Sequence, residues 1–220
     1  MDSNRFRTRL TEINRPDWLV SRISGQVAAA IATGQAGVLD ETFRLAREQK
    51  LERVKLYELV LQSYLFLGFP RMLIAATQLD VVWPNATPQV NKTKPISPEE
   101  SDRWFNNGLA LCKKIYGTAF DPLRERVERI APEVFRWMII EGYGKVLSRN
   151  GLHLIDRELG IMATLVVENR KEQLFSHMRG ALNAGAEREL VTTILEDLGP
   201  DVGDGYQTAR ELLQREGLSA

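Results

Sequence analysis

Two side chains in this sequence have the types to do acid–base chemistry and lie on buried-looking faces of two consecutive expected helices: Glu158 and His177. Glu158 stands ahead of Met162 (i+4) and Leu165 (i+7) and shares their helical stripe. His177 shares a stripe with Leu174 (i−3), Ala181 (i+4) and Gly185 (i+8). Ionisable groups on apolar stripes are uncommon, and they are either satisfied structurally or put to chemical use. An imidazole, with its ordinary pKa of about 6.5, exchanges protons near neutrality, and a carboxylate can orient it. Each residue also has a structural reading. Asp156 is a candidate N-cap, which puts Glu158 at the second helical position, where the helix dipole favours an acid by roughly 0.3–1 kcal/mol. His177 can equally be a core histidine satisfied by a backbone carbonyl and one neighbour.

Arg149, Arg157 and Arg179 are candidates for holding an anionic substrate, because a guanidinium fork matches a carboxylate. The alternative is that they pair with acids at helix ends. His153 reads as surface or supporting. No phosphate loop, no Gly-x-Ser-x-Gly elbow and no convincing metal-ligand spacing is present. One glutamate and one histidine do not make a metal site, so neither metal nor cofactor is expected. The single Cys112 excludes an intrachain disulfide and any Cys-x-x-Cys centre.

Lys+Arg and Asp+Glu both number 29, and with no basic block or excess the sequence gives no sign of a nucleic-acid surface. No unbroken run of about 18 apolar residues suggests a membrane span, and the first residues lack the apolar core of a secretory signal. The expected setting is cytoplasmic and reducing.

The elements that must position the pair are helices. Period-3.6 patterns dominate, and no stretch reads as a strand. Helices are expected over 16–33, 40–50, 54–67 and 70–79, with Gly68 breaking the run between the last two. Residues 83–97 carry three prolines and read as a linker. Ser97-Pro98-Glu99-Glu100 then shows an N-cap, a proline at the first helical position and first-turn acids. Further helices are expected at 98–116, 122–130, 132–147, 156–168, 171–184, 186–198 and 204–216. Glu58-Leu59-Val60 with Leu67-Gly68 recurs as Glu189-Leu190-Val191 with Leu198-Gly199, at an offset of 131 (189 − 58).

The segment Ser176-His177-Met178-Arg179-Gly180-Ala181-Leu182-Asn183-Ala184-Gly185 resembles the His-x-x-x-Ala-Leu-x-x-Gly segment of the carboxymuconolactone decarboxylase family, which includes the alkyl hydroperoxidase D-like proteins. Arg157-Glu158-Leu159 resembles the Arg-Glu-Leu of that family's preceding helix, 19 residues before the histidine (177 − 158). Tyr64 to Pro70, Tyr116-Gly117 and Tyr143-Gly144 are also similar. The resemblance implies an all-α antiparallel helical array of two diverged halves: 1–82, the 83–97 linker, and 98–220. It implies a homo-oligomer, a trimer or a dimer, and a small-molecule carboxylate substrate. It further implies a cofactor-independent lyase acting on a small carboxylated lactone or related acid, with Glu158 and His177 catalytic and Arg149, Arg157 and Arg179 near the substrate. Two alternatives stand beside it: a non-catalytic oligomer or ligand-binding member, and a peroxidase. In the peroxidase branch two redox cysteines lie seven and four residues before the histidine. Here those positions are Arg170 and Gln173, so thiol chemistry has neither nucleophile nor resolving partner.

Overall fold

The computed structural model describes residues 1–85 and 95–215, and there the chain is all-α. In order, the helices are α1 (Ser3–Glu12), α2 (Leu19–Thr33), α3 (Ala36–Glu48), α4 (Arg53–Val82), α5 (Pro98–Tyr116), α6 (Phe120–Ile130) and α7 (Pro132–Trp137). A π-helix (Met138–Leu147) follows, then α8 (Leu154–Val167), α9 (Lys171–Asn183), α10 (Arg188–Leu198) and α11 (Gly205–Leu213).

The chain divides into two compact units, Met1–Pro84 with Gly151–Ala220, and Asn85–Asn150. The expected halves 1–82 and 98–220 are therefore not the compact bodies: residues 151–220 pack with the N-terminal segment. The cause lies in α2 and α8. Both are apolar around most of their circumference, α2 being buried from Ser21 to Ala32 and α8 from Asp156 to Val166. A helix that is apolar on all sides must be enclosed by others, and these two pack on each other. Gly25 admits Ile194 of α10 against α2, and Gly160 admits Leu59 of α4 against α8, since a methyl at either glycine would crowd those side chains. Most of the expected 83–97 linker lies outside the described residues.

Around this central pair, α1, α3, α4, α9, α10 and α11 complete the first unit. The two Leu-Gly ends share their backbone geometry, with φ 76° and ψ 168° at Gly68 and φ 70° and ψ 175° at Gly199. Positive φ explains glycine at both. Gly68 breaks α4 as expected. Arg53–Val82 is nonetheless long and apolar enough, by length and composition, to cross a membrane. Gln62, Ser63 and Arg71 interrupt its leucines, so no unbroken apolar run marks it in the sequence. The bend leaves two limbs of roughly 22 Å each, shorter than the ~30 Å hydrocarbon core. Phe69, Leu73, Ile74 and Val81 of the second limb are exposed.

α1 was not anticipated. Asp2 caps it, accepting from the amides of Asn4 and Arg5, and Phe6 anchors it. A buried pair then ties the first unit together: Arg22 of α2 donates through Nε (2.6 Å) and Nη2 (2.9 Å) to the Asp197 carboxylate of α10, which also accepts from Arg9 of α1.

In the second unit, α5 begins as expected, Ser97 Oγ accepting from the Glu100 amide with Pro98 at the first position. It packs backbone-to-backbone against the π-helix, because Gly108 and Gly144 remove the side chains that would hold the two apart. The expected single helix over 132–147 is thus α7 continuing into π geometry. Tyr116 and Tyr143 pack edge-on there, their hydroxyls 3.1 Å apart.

Candidate functional site

α8 and α9 form a helical hairpin, and its geometry explains the 19-residue spacing of the pair. α8 ends at Val167, Asn169 takes the left-handed conformation (φ 51°), and the Arg170 amide closes back onto the Leu165 carbonyl. Asn is one of the few side chains that tolerates this conformation at a helix end. The chain reverses in three residues and α9 runs back along α8. Glu158 lies nine residues before the end of α8 and His177 seven after Arg170, so the two arrive at similar heights.

They meet. His177 Nδ1 lies 2.9 Å from Glu158 Oε2. The glutamate is fully buried and His177 is 6% exposed. The edge of the imidazole packs against Phe66 of α4, with ring centroids 5.7 Å apart at 83°. The second carboxylate oxygen, Oε1, is buried and has no hydrogen-bond partner among the described residues. A buried acceptor left unpaired carries a desolvation cost of about 1–3 kcal/mol, which a bound donor would recover.

The helix-dipole reading of Glu158 does not fit this structure. α8 begins at Leu154 with His153 at the cap position, so Glu158 is the fifth helical residue, beyond the first turn where the dipole acts. Asp156 is not the cap either. It is buried in the first turn and accepts from Ser21 Oγ of α2 at 2.5 Å. Burial pushes its carboxyl pKa above the usual carboxylate range, with the Ser21 hydrogen bond and then the charges of His153, Lys55 and Arg157 opposing it.

Arg157 has no exposed surface. Its Nη2 donates to Glu58 Oε2 at 2.8 Å and its Nη1 to Gln62 Oε1 at 3.2 Å, while Gln62 Nε2 donates to the Arg157 carbonyl at 3.2 Å. A substrate carboxylate would have to displace Glu58 to reach this guanidinium. Arg157 instead fastens α8 to α4 one residue from Glu158. Gly151 makes room for the clamp, since a methyl there would strike the Glu58 side chain. Arg179 is half-buried, with its guanidinium 5.9 Å from the Phe175 ring centroid. It lies two residues from His177, about 200° around α9. Arg149 is exposed and belongs to the other compact unit. His153 is exposed.

Sequence reasoning used Glu58 only as a repeat marker and did not single out Gln62 or Phe66. The signal was there: 58, 62 and 66 recur every four residues on α4, and that stripe carries the contacts to Arg157 and His177. Arg170 and Gln173, which stand where the thiol branch has cysteines, are both exposed, and Cys112 is buried in α5. Among the described residues, no group of three or more His, Cys, Asp or Glu side chains is arranged to hold a metal ion.

Comparison with known proteins adds one decisive match. Residues 132–214, which include Glu158, His177 and the whole hairpin, match the model of the carboxymuconolactone decarboxylase family. The chain carries a carboxymuconolactone decarboxylase family domain. Relatives of this domain-bearing chain include "Peroxisomal protein 2" of Saccharomyces cerevisiae, 24% identical over 66% of this chain, and "Peroxisomal protein 2" of Schizosaccharomyces pombe, 25% identical over 84%. The chain spans about 60% of the length of the first and 88% of the second. The domain match thus covers both Glu158 and His177, while the relatives' names speak of a compartment and name no reaction.

Proposed function

We propose that this protein is a cofactor-independent lyase that removes carbon dioxide from a small carboxylated lactone or a related acid. The observation that carries the reading is the buried Glu158–His177 hydrogen bond with its second carboxylate oxygen unpaired. In such a reaction the bond from the substrate to its carboxylate breaks, carbon dioxide leaves, and the electron pair passes into the conjugated carbonyl of the lactone. The resulting carbanion then takes a proton. His177 supplies it from Nε2, because Nδ1 is held by Glu158. Glu158 fixes the ring and balances its charge in the protonated state. Arg157 is committed to Glu58 and Arg179 stands about 200° around α9 from His177, so neither is assigned to the substrate carboxylate.

A non-catalytic, ligand-binding role draws on one observation, the 6% exposure of His177 beneath Phe66. The peroxidase alternative lacks the cysteine pair its chemistry requires. The cytoplasm remains the proposed compartment. The relatives' names make the peroxisome its rival, and cell fractionation of the tagged protein decides between them.

The test measures carbon dioxide release from a carboxylated γ-lactone together with the melting temperature. His177→Gln and Glu158→Gln should each lower turnover by about 10²–10⁴-fold, the usual worth of general acid–base catalysis, while the fold survives. Unchanged turnover per folded molecule with a lowered melting temperature would give the pair a structural role.

A further inference from the structure

The second unit has a pocket of its own, about 450 Å³, lined by α5, α6, α7 and the π-helix. Phe105 of α5, Phe135 of α7 and Ile140 of the π-helix give it apolar walls. Phe135 is buried and packs edge-on against Phe120, with ring centroids 6.2 Å apart. The charged lining comes from three different helices: Asp102 from α5, Glu128 from α6 and Arg136 from α7, all exposed. The pocket therefore has an apolar floor under a charged rim. The π-helix on its border is a second mark, since that rare geometry recurs at functional sites.

What sets this rim apart is that two acids and a base share one concave space without pairing. Asp102 has no basic residue within helical reach: its i±3 and i±4 positions are Pro98, Glu99, Phe105 and Asn106. The adjacent Arg103 pairs instead with Glu100, at 3.6 Å. Glu128 has one cation at helical spacing, Arg124 (i−4), and Arg124 pairs with Asp121, at 3.3 Å. Arg136 has Glu133 at i−3 and forms no ion pair with it. Asp102, Glu128 and Arg136 make no side-chain hydrogen bond or ion pair among the described residues. Their charges and hydrogen-bonding groups are therefore open to an incoming molecule. The lining carries a net charge of −1 (1 − 2), and its complement is a small molecule with two cationic groups and one anionic group.

We propose that this pocket binds a free α-amino acid with a cationic side chain. Arg136 takes the α-carboxylate through its guanidinium fork, while Asp102 and Glu128 take the α-ammonium and the side-chain cation. The aliphatic stem lies against Phe105, Phe135 and Ile140, and the aromatic faces attract the cation beside them. The volume falls within the range of small-molecule sites. The site lies wholly within the second unit and does not need the lyase reading.

The experiment is isothermal titration of the full chain with L-arginine and with three analogues that each lack one of its charges. Agmatine lacks the carboxylate, Nα-acetyl-L-arginine the α-ammonium and L-citrulline the side-chain cation. L-Arginine should bind saturably with a Kd below about 1 mM, and each analogue should bind about tenfold or more weakly than that. Arg136→Gln, an exposed change, should weaken L-arginine about tenfold while leaving the melting temperature and the affinity for agmatine as they are in the parent. Asp102→Asn and Glu128→Gln should each weaken L-arginine by a similar factor. Absence of saturable L-arginine binding up to about 10 mM would overturn the proposal. So would any one analogue binding as tightly as L-arginine; for Nα-acetyl-L-arginine, that result would point to the C-terminus of a peptide in place of a free amino acid. An Arg136→Gln variant that binds L-arginine as the parent does would overturn it as well.

Discussion

Replacing Glu58 by alanine should remove about 3–5 kcal/mol of stability. The Arg157 guanidinium has no exposed surface and faces Glu58 at 2.8 Å, with the glutamate itself 2% exposed. Deleting the acid strands a buried cation, and breaking a buried pair from one side typically costs about that much. In a chain of this length each kcal/mol moves the melting temperature by about 2–4 °C, so the expected drop is about 6–20 °C. Removing both charges behaves differently. Glu58→Leu with Arg157→Met replaces the pair by apolar groups of similar reach and should recover most of the loss, because the desolvation cost disappears along with the attraction. Differential scanning calorimetry on Glu58→Leu, Arg157→Met and the double variant closes the cycle, and a coupling above about 1 kcal/mol is expected. A drop below about 3 °C for Glu58→Ala, or single-variant effects that simply add, would refute the view that this pair clamps α8 to α4.

Asp156 should make stability pH-dependent. Burial raises its folded pKa, so the folded state binds the proton more tightly than the unfolded one, and its contribution falls as pH rises from the ordinary value of 3.8 through the raised one. Asp156→Asn removes that decline; its melting temperature relative to the parent should increase between pH 4 and pH 7, and a flat difference would contradict the assignment. Gly108→Ala should destabilise the 85–150 unit by about 1–3 kcal/mol or more, since a methyl would run into the Ile139 carbonyl and the Gly144 amide of the π-helix; loss of hydrogen-exchange protection in α5 is the readout. The exposed Phe69, Leu73, Ile74 and Val81 should be covered by a second copy of the chain, so light scattering at micromolar concentration should give a mass above the 25.0 kDa of one chain.

What could be read in advance was local. Helix existence followed from period and caps: Ser97-Pro98 started α5 as its chemistry dictates, and Gly68 broke α4 where a positive φ was needed. The sequence placed Glu158 and His177 on apolar stripes of consecutive helices and left their meeting open; the helical hairpin with its three-residue turn is what returns residue 177 to residue 158. What escaped depends on long-range pairing. Arg157 read as a substrate arginine because nothing adjacent reveals that Glu58, 99 positions earlier, neutralises it. Asp156 read as a cap because its partner, Ser21, lies on another helix. The boundary at 98 failed for the same reason: apolar character shows that α8 must be enclosed, and it does not say by which helix.

The pairing of α2 with α8 has a consequence during synthesis. Ser21 and Asp156, which bond across that interface, are 135 positions apart. A ribosome adding about 5–20 residues per second needs on the order of 10 s to make the chain between them. Throughout that interval the alanine- and isoleucine-lined surface of α2 has emerged without the helix that covers it. The nascent chain should therefore engage holdase chaperones until residue 167 clears the exit tunnel. Ribosome-bound chains stalled before α8 should be captured by such chaperones, and those stalled well after α9 should be released.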